Sequence, residues 1–446
     1  MRPEGSIELA GWRRLGDRLS PRTMTPLPGA PFLHRRGTEL WLEDVRLADL
    51  AATHGTPLYV YSRAAMRAAL APYQMALSGR RHLICYAMKA NSSLAVLQTF
   101  AASGCGFDIV SGGELQRVLA IGGDPSRVVF SGVGKTDDEL LFALAVGVRC
   151  FNVESESELL ALSRLATAAG KRAPISLRVN PDIDAKTHPY ISTGLRGNKF
   201  GIAHERAAAV YRHAANLPGI EVVGIDCHIG SQVTDSAPYL AALERLLDLV
   251  ETVEREGVQL SHIDLGGGLG ITYTNEAPPA ADELIGAMLA RIDARGHGHR
   301  EILIEPGRSL VGNAGILLAR VLVLKRGSER NFCIVDAAMN DLVRPAMYDA
   351  WMGITACTLH DRQPELWDVV GPICESGDWL GRERSLAISE GDLLAVTSAG
   401  AYAMAMASNY NSRPRAAEVM IEGATVHVIR RRETLESLYA DERPIG

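Results

Sequence analysis

Lys89 closes a short apolar run, His-Leu-Ile-Cys-Tyr-Ala-Met-Lys (82–89), and is followed at once by Ala-Asn-Ser-Ser. An amine held at the tip of a buried strand is placed for Schiff-base chemistry on a carbonyl. By itself it could equally be a strand end reaching water. Three further polar clusters close apolar runs in the same way: Cys-His-Ile-Gly-Ser-Gln (227–232), Asp-Leu-Gly-Gly-Gly-Leu-Gly (264–270) and Glu-Pro-Gly-Arg (305–308). Taken singly, His228 reads as a hydrogen-bonded core histidine, Glu305 as an ion-pair partner of Arg308, and Gly266–Gly268 as a tight turn. Four polar sites at four strand ends are better explained by one active site.

The elements that would position these groups are legible. Apolar runs rich in Val, Ile and Phe recur at 82–87, 107–111, 127–131, 149–153, 175–180, 222–229, 262–266 and 301–305. They read as strands buried on both faces. Helical patterns separate them, the longest over 238–256 with Tyr239, Leu243, Leu246, Leu247 and Val250 on one stripe. Eight βα units over about 250 residues match a (β/α)8 barrel, with an open doubly wound sheet as the alternative. In a barrel the active groups gather at the carboxyl ends of the strands, and a phosphate often rests on the loops after strands seven and eight. Lys89 follows strand one, His228 strand six, Gly266–Gly270 strand seven, and Glu305, Pro306, Gly307 and Arg308 strand eight. After Arg308 the runs become β-like. The expected organisation is a poorly ordered extension over 1–30, a barrel over 55–310, and a β-rich second domain from 31–54 and 311–446. Glu39–Glu43 could add a strand to that domain, and Met24 is a plausible initiator. The irregular stretch 180–199 is long enough for a lid or binding loop.

Composition narrows the chemistry. The formal net charge is −6, with 22% charged residues, which gives no electrostatic footprint for nucleic acid. No apolar run is long enough to span a bilayer. Seven cysteines at 85, 105, 150, 227, 333, 357 and 374, with no C-x-x-C pair, argue against both a disulfide framework and a zinc site. A reducing, cytoplasmic setting and no metal are expected. The remaining fit is a cofactor with a carbonyl for lysine and a phosphate handle, which pyridoxal 5′-phosphate supplies. On that reading Gly266–Gly268 approach the phosphate and Glu305 meets the pyridine nitrogen. His228 stacks on the ring or moves protons, and Arg308 offers a fork for a carboxylate or phosphate.

Further motifs point to a family. They include Tyr-Ala-Met-Lys-Ala-Asn (86–91), Gly-Phe-Asp-Ile-Val-Ser-Gly-Gly-Glu-Leu (106–115), Phe-Asn-Val-Glu-Ser (151–155) and Arg-Val-Asn-Pro-Asp-Ile-Asp-Ala-Lys-Thr-His-Pro-Tyr-Ile-Ser-Thr-Gly (178–194). Others are Asn-Asp-Leu-Val-Arg-Pro-Ala-Met-Tyr-Asp-Ala (340–350), Gly-Pro-Ile-Cys-Glu-Ser-Gly-Asp (371–378) and Ala-Gly-Ala-Tyr (399–402). From about Phe32 to Arg431 the chain resembles the diaminopimelate decarboxylases, in the alanine-racemase-like (fold type III) group of pyridoxal-phosphate enzymes. Met88, where the family more often has valine, and the run after Tyr402 are the only small departures.

The resemblance implies an obligate homodimer with shared active sites that converts meso-2,6-diaminopimelate to L-lysine and CO2. It implies that Lys89 carries the cofactor, with His228 against the ring, Ser231 and Gly268 on the phosphate, and Glu305 at the pyridine nitrogen. Pro306, Gly307 and Arg308 complete that wall, and Tyr402 touches both cofactor and substrate. Arg308, Arg344 and Tyr348 would hold the distal carboxylate. Glu375 from the second subunit would bind the distal ammonium, and Cys374 beside it would donate the final proton. A related decarboxylase of simple diamino acids, or a cofactor carrier without turnover, are the rival readings. The Arg344 and Glu375 pairing speaks against the first, the presence of Cys374 against the second.

Overall fold

The computed structural model describes residues 27–184, 193–194 and 197–445. Eight parallel strands form its centre: His82–Ala87, Gly106–Ile109, Val128–Phe130, Cys150–Val153, Ala173–Asn180, Ile220–Asp226, His262–Asp264 and Glu301–Ile304. Each pairs with the next, and the eighth returns to the first through Ile302↔His82, Leu303↔Leu83 and Ile304↔Ile84. The sheet is therefore a closed barrel, which removes the open-sheet alternative. Strands such as Cys150–Val153 are buried along their whole length, as a strand packed on both faces requires.

Helices follow the first seven strands, and their starts are written in side chains. Thr136 and Glu139 form a reciprocal capping box at helix Asp137–Val146. Ser111 and Ser155 accept from the amides of Glu114 and Glu158 at two others. Helix Ala237–Arg255 buries the predicted stripe from Tyr239 to Val250. Strand eight is followed by only one helical turn, Arg308–Val311. The place of an eighth outer helix is taken by Arg63–Ala76, from before strand one, which packs against Ala281–Ala294 and Leu94–Ala102.

The second domain is a sheet organised on the long strand Gly315–Arg326. That strand pairs with Leu58–Ser62, Asn331–Val335 and Leu393–Val396. Ala417–Glu422 lies parallel to Leu58–Ser62 on its other side. Leu58–Ser62 thus belongs to the β domain, and the barrel unit starts at Arg63 instead of near residue 55. Alternation explains this: Leu58 and Val60 enter a core with Ile316, Leu318 and Val419. Tyr59 and Tyr61 face the other way and bond the Asp341 carbonyl and the Glu418 carboxylate. Glu39–Leu42 sits in a separate three-stranded sheet with Leu33–Arg36 and Val45–Arg46. It reaches the main domain through the core contacts of Leu40 and Leu42 and one bridge, Glu39↔Thr358. Of the expected N-terminal extension, residues 1–26 lie outside the described residues, and the Leu27–Ala30 turn packs on this small sheet through Leu27. Within the irregular 180–199 stretch, 185–192 and 195–196 also lie outside them.

Candidate active site

The carboxyl ends of the barrel strands supply a buried polar floor. Lys89, two residues past strand one, places Nζ 3.0 Å from Oδ2 of Asp108 on strand two. Asp226, Asp264 and Glu305, from strands six, seven and eight, bring carboxyl oxygens within 4.8 Å of one another. Burial, then the charges of Asp108, Asp264 and Asp226, push the Glu305 carboxyl well above the usual range. Burial likewise lifts Asp264 to about 7, against the amide of Gly266, which donates to its Oδ1 at 2.9 Å. A floor that retains protons near neutrality can hold one against a ring nitrogen. Beside it Arg178 pairs with Glu154 at 2.9 Å, and Glu154 also accepts from the amides of Gly132 and Gly201.

Above the floor lies a cavity of about 520 Å³, within the range of small-molecule sites. Lys89, His228, Ser231 and Arg308 line it from the barrel, and Arg344, Tyr348 and Tyr402 from the second domain. His228 accepts from the amide of Gly267 at Nδ1, 3.2 Å away. Burial, with Lys89 and Arg178 adding to it, holds its pKa well below the ordinary value. The imidazole is therefore neutral, with its proton on Nε2. The glycine run is needed for close packing. A Cβ at Gly267 would fall 1.9 Å from the Glu305 carbonyl, and one at Gly268 2.0 Å from the Gly230 carbonyl. Gly268 also has φ +99°. Pro306 and Gly307 pack against strand one, where the Pro306 carbonyl accepts from Ala87 at 3.1 Å. Gly268, Glu305, Pro306 and Gly307 thus shape the site from beneath and behind the cavity wall.

Tyr402 is presented by a strained turn. Its φ is +53°, and its amide donates to the Ala90 carbonyl at 2.8 Å. Asn91 bonds the Gly400 carbonyl at 3.2 Å. A Cβ on Gly400 would lie 1.8 Å from the Val311 carbonyl, so only glycine lets this turn dock on the barrel. Arg308 runs under the Tyr402 ring at 4.7 Å and donates to Ser231 Oγ at 2.8 Å and Tyr273 Oη at 2.7 Å. Arg344 is 6% exposed, and its guanidinium lies near the rings of Tyr348, Tyr402 and Tyr273 at 5.5–6.0 Å. Its Nε has no hydrogen-bond partner and the side chain no carboxylate partner among the described residues. Burial, with Arg308 as a neighbouring cation, lowers its pKa.

Cys374 and Glu375 do not line this cavity. Cys374 is exposed, and Glu375 accepts from Tyr410 Oη at 2.9 Å. Asp378 fixes their loop, accepting at 2.7 Å from both the Met339 and Ile373 amides. Several site residues had no role read from sequence: Asp108, Arg178 with Glu154, Asp226, Tyr273, and Asp264, although the last opens the 264–270 cluster. Phe-Asp-Ile (107–109), Ile-Asp-Cys (225–227) and Ile-Asp-Leu (263–265) carried a signal, an aspartate set into an apolar strand at its carboxyl end.

The donor set fits pyridoxal 5′-phosphate. An amine for the aldehyde, proton-bearing carboxyls for the pyridine nitrogen, and the Ser231 hydroxyl for the phosphate meet around one cavity. The Gly267 and Gly268 backbone beside them is too closely packed to admit a side chain.

Comparison with known proteins agrees. Residues 63–312 match the pyridoxal-binding domain of the pyridoxal-dependent decarboxylases. The chain is 57% identical to diaminopimelate decarboxylase of Pseudomonas aeruginosa, over 91% of this chain and 97% of that protein. It is 54% identical to that of Vibrio cholerae, over 92% and 98%. The crystal structure of the M. jannaschii diaminopimelate decarboxylase with L-lysine superposes with a TM-score of 0.89 at 35% identity, covering 94% of this chain and 99% of that one. The chain belongs to the diaminopimelate decarboxylase family of pyridoxal-dependent decarboxylases.

Proposed function

We propose that this site removes one carboxylate from meso-2,6-diaminopimelate, giving L-lysine and CO2, with pyridoxal 5′-phosphate as cofactor. The observation that carries the reading is Arg344, a buried guanidinium without a carboxylate partner among the described residues, facing the same cavity as Lys89. A buried cation of this kind is costly unless a ligand anion reaches it. Bound in the cavity, the cofactor supplies an electron sink for the pair left when the Cα–carboxylate bond breaks. Lys89 anchors it, and neutral His228 covers the ring without adding charge. Glu305 keeps a proton at the pyridine nitrogen, and Ser231, Gly268 and the 306–308 turn hold the phosphate end. Arg308, Arg344, Tyr348 and Tyr402 fix the distal carboxylate, orienting the scissile bond. Ornithine and lysine lack that carboxylate and would leave Arg344 unpaired, an expensive mismatch in a desolvated pocket.

Cys374 and Glu375 complete the site from a second copy of the chain, Cys374 protonating Cα and Glu375 meeting the distal ammonium. Their exposure on a loop fixed by Asp378 supports this. The enzyme is on this reading a homodimer, and seven unpaired cysteines suit a reducing cytoplasm. No helix among the described residues is long and apolar enough to cross a membrane.

The test is lysine and CO2 formation by the cofactor-loaded protein with meso-diaminopimelate, ornithine, arginine and lysine. Turnover confined to diaminopimelate is expected; turnover of ornithine at a similar rate would overturn the role of Arg344. Sharing of sites is checked by mixing two inactive variants, Lys89→Ala and Cys374→Ala. Random exchange should restore about a quarter of the activity, since half the dimers then carry one intact site. No recovery after subunit exchange would place Cys374 in its own chain's site or outside catalysis.

A further inference from the structure

Behind the turn that carries Lys89 lies a second cavity, of about 240 Å³, that plays no part in the chemistry above. It opens between the Asn91–Ser93 turn of the barrel, the Met404–Ala407 turn and the strand residues Glu418 and Arg430 of the second domain. Its charged lining is three arginines, Arg117, Arg415 and Arg430, and one carboxylate, Glu418. Arg430 is paired with Glu418, and Arg415 with Glu433 at 3.0 Å. Arg117 spends Nη1 on the Ser92 carbonyl at 3.0 Å and has no carboxylate partner among the described residues. One positive charge in the lining is therefore left over.

Ser93 is the second, independent feature. It is 6% exposed and lines the cavity, yet its hydroxyl has no hydrogen-bond partner among the described residues. It occupies the cap position of helix Leu94–Ala102 without making the cap bond. The first-turn amides of that helix are thus left without a side-chain acceptor. A free hydroxyl on a buried serine, an uncapped helix start and a guanidinium with no carboxylate partner among the described residues, around one small cavity, are the complement of an oxyanion.

We propose that this cavity binds a small oxyanion, a phosphate or a short carboxylate, through Ser93, the start of helix Leu94–Ala102 and Arg117. The occupant lies beside the place where the loops that present Lys89 and Tyr402 meet, through Asn91 with Gly400 and Tyr402 with Ala90.

Inorganic phosphate and succinate are titrated separately, by calorimetry and by thermal melting, into the cofactor-loaded protein and its variants. At least one anion should bind saturably to the wild type and raise its melting midpoint. Phosphate alone would identify a phosphate-ester ligand, and succinate alone a carboxylate. Arg117→Gln should weaken that binding about tenfold or more, and Ser93→Ala should weaken it too. The melting midpoint of Ser93→Ala without anion should match the wild type, so that loss of binding cannot be assigned to loss of fold. Absence of saturable binding overturns the proposal. So does binding that survives both variants and is lost only in Arg344→Met, because that anion sits in the substrate cavity.

Discussion

The Lys89 amine lies 3.0 Å from Oδ2 of Asp108, whose side chain is wholly buried while Lys89 keeps 35% of its own open to the cavity. The cavity is ringed by protein, so this opening still leaves the amine poorly solvated. Burial disfavours its charge, but Asp108, with Glu305 and Tyr402, outweighs burial and holds the Lys89 pKa above its ordinary value. Attachment of a carbonyl needs the neutral amine. Asp108→Asn should lower the Lys89 pKa and speed cofactor uptake by the cofactor-free protein at neutral pH, by about tenfold or more. The pH dependence of uptake should flatten as well. Absorbance during rapid mixing reads both, and an unchanged rate with an unchanged pH slope would separate Asp108 from the lysine.

The carboxyl floor makes a prediction about stability. Asp264 is raised from 3.8 to about 7, and Glu305 and Asp226 are raised with it. A carboxyl that keeps its proton longer when folded stabilises the fold below its unfolded pKa. That contribution is lost as pH climbs through the folded value. The window for Asp264 therefore runs from 3.8 to about 7. Asp264→Asn keeps an Oδ1 acceptor for the Gly266 amide and removes the titration. In cofactor-free protein the variant should gain stability relative to wild type as pH rises from 3.8 to about 7. Parallel melting curves across that interval would refute a shared proton on the floor.

The loop carrying Cys374 depends on Asp378. Both of its oxygens accept amides, from Met339 and Ile373, and the carboxylate is buried. Asn at 378 keeps one acceptor and places a donor against the other amide. Asp378→Asn should lower kcat about tenfold through misplacement of the loop, with cofactor affinity unchanged. Cofactor titration alongside turnover distinguishes this from general unfolding, in which both fall together.

Much of this was legible in the chain. The barrel strands stood out because burial on both faces leaves unbroken apolar runs, and the strand-end motifs at 89, 228, 264–270 and 305–308 carried position as well as chemistry. Leu58–Ser62 was misplaced because a two-faced buried strand looks alike in a barrel and in a sheet. Glu365–Val370 and Trp379–Leu386 were missed because Asp368 and Arg384 interrupt their apolar pattern. In the fold Asp368 is buried and accepts from the Glu383 amide, and Arg384 lies over the Trp351 ring. Asp108 and Asp226, and the role of Asp264 within its motif, escaped because a single acidic residue inside a hydrophobic run resembles an exception until closure of the barrel brings several of them together.

Arg344 sets function against stability. The residue is 6% exposed, lies near a second cation in Arg308, and its Nε has no hydrogen-bond partner among the described residues. Desolvating such a charge costs several kcal/mol that the protein alone does not recover. Methionine at 344 keeps the length of the side chain and lets it pack among the Tyr273, Tyr348 and Tyr402 rings. Arg344→Met should therefore raise the melting midpoint of the protein while lowering kcat/KM for meso-diaminopimelate by roughly 100-fold, the value of a charged two-point contact. Most of that loss should lie in KM if the contact is equally strong before and during bond cleavage, and in kcat if it strengthens as the carboxylate leaves. A variant that is both less stable and fully active would show that the charge serves the fold, and that the distal carboxylate is read elsewhere.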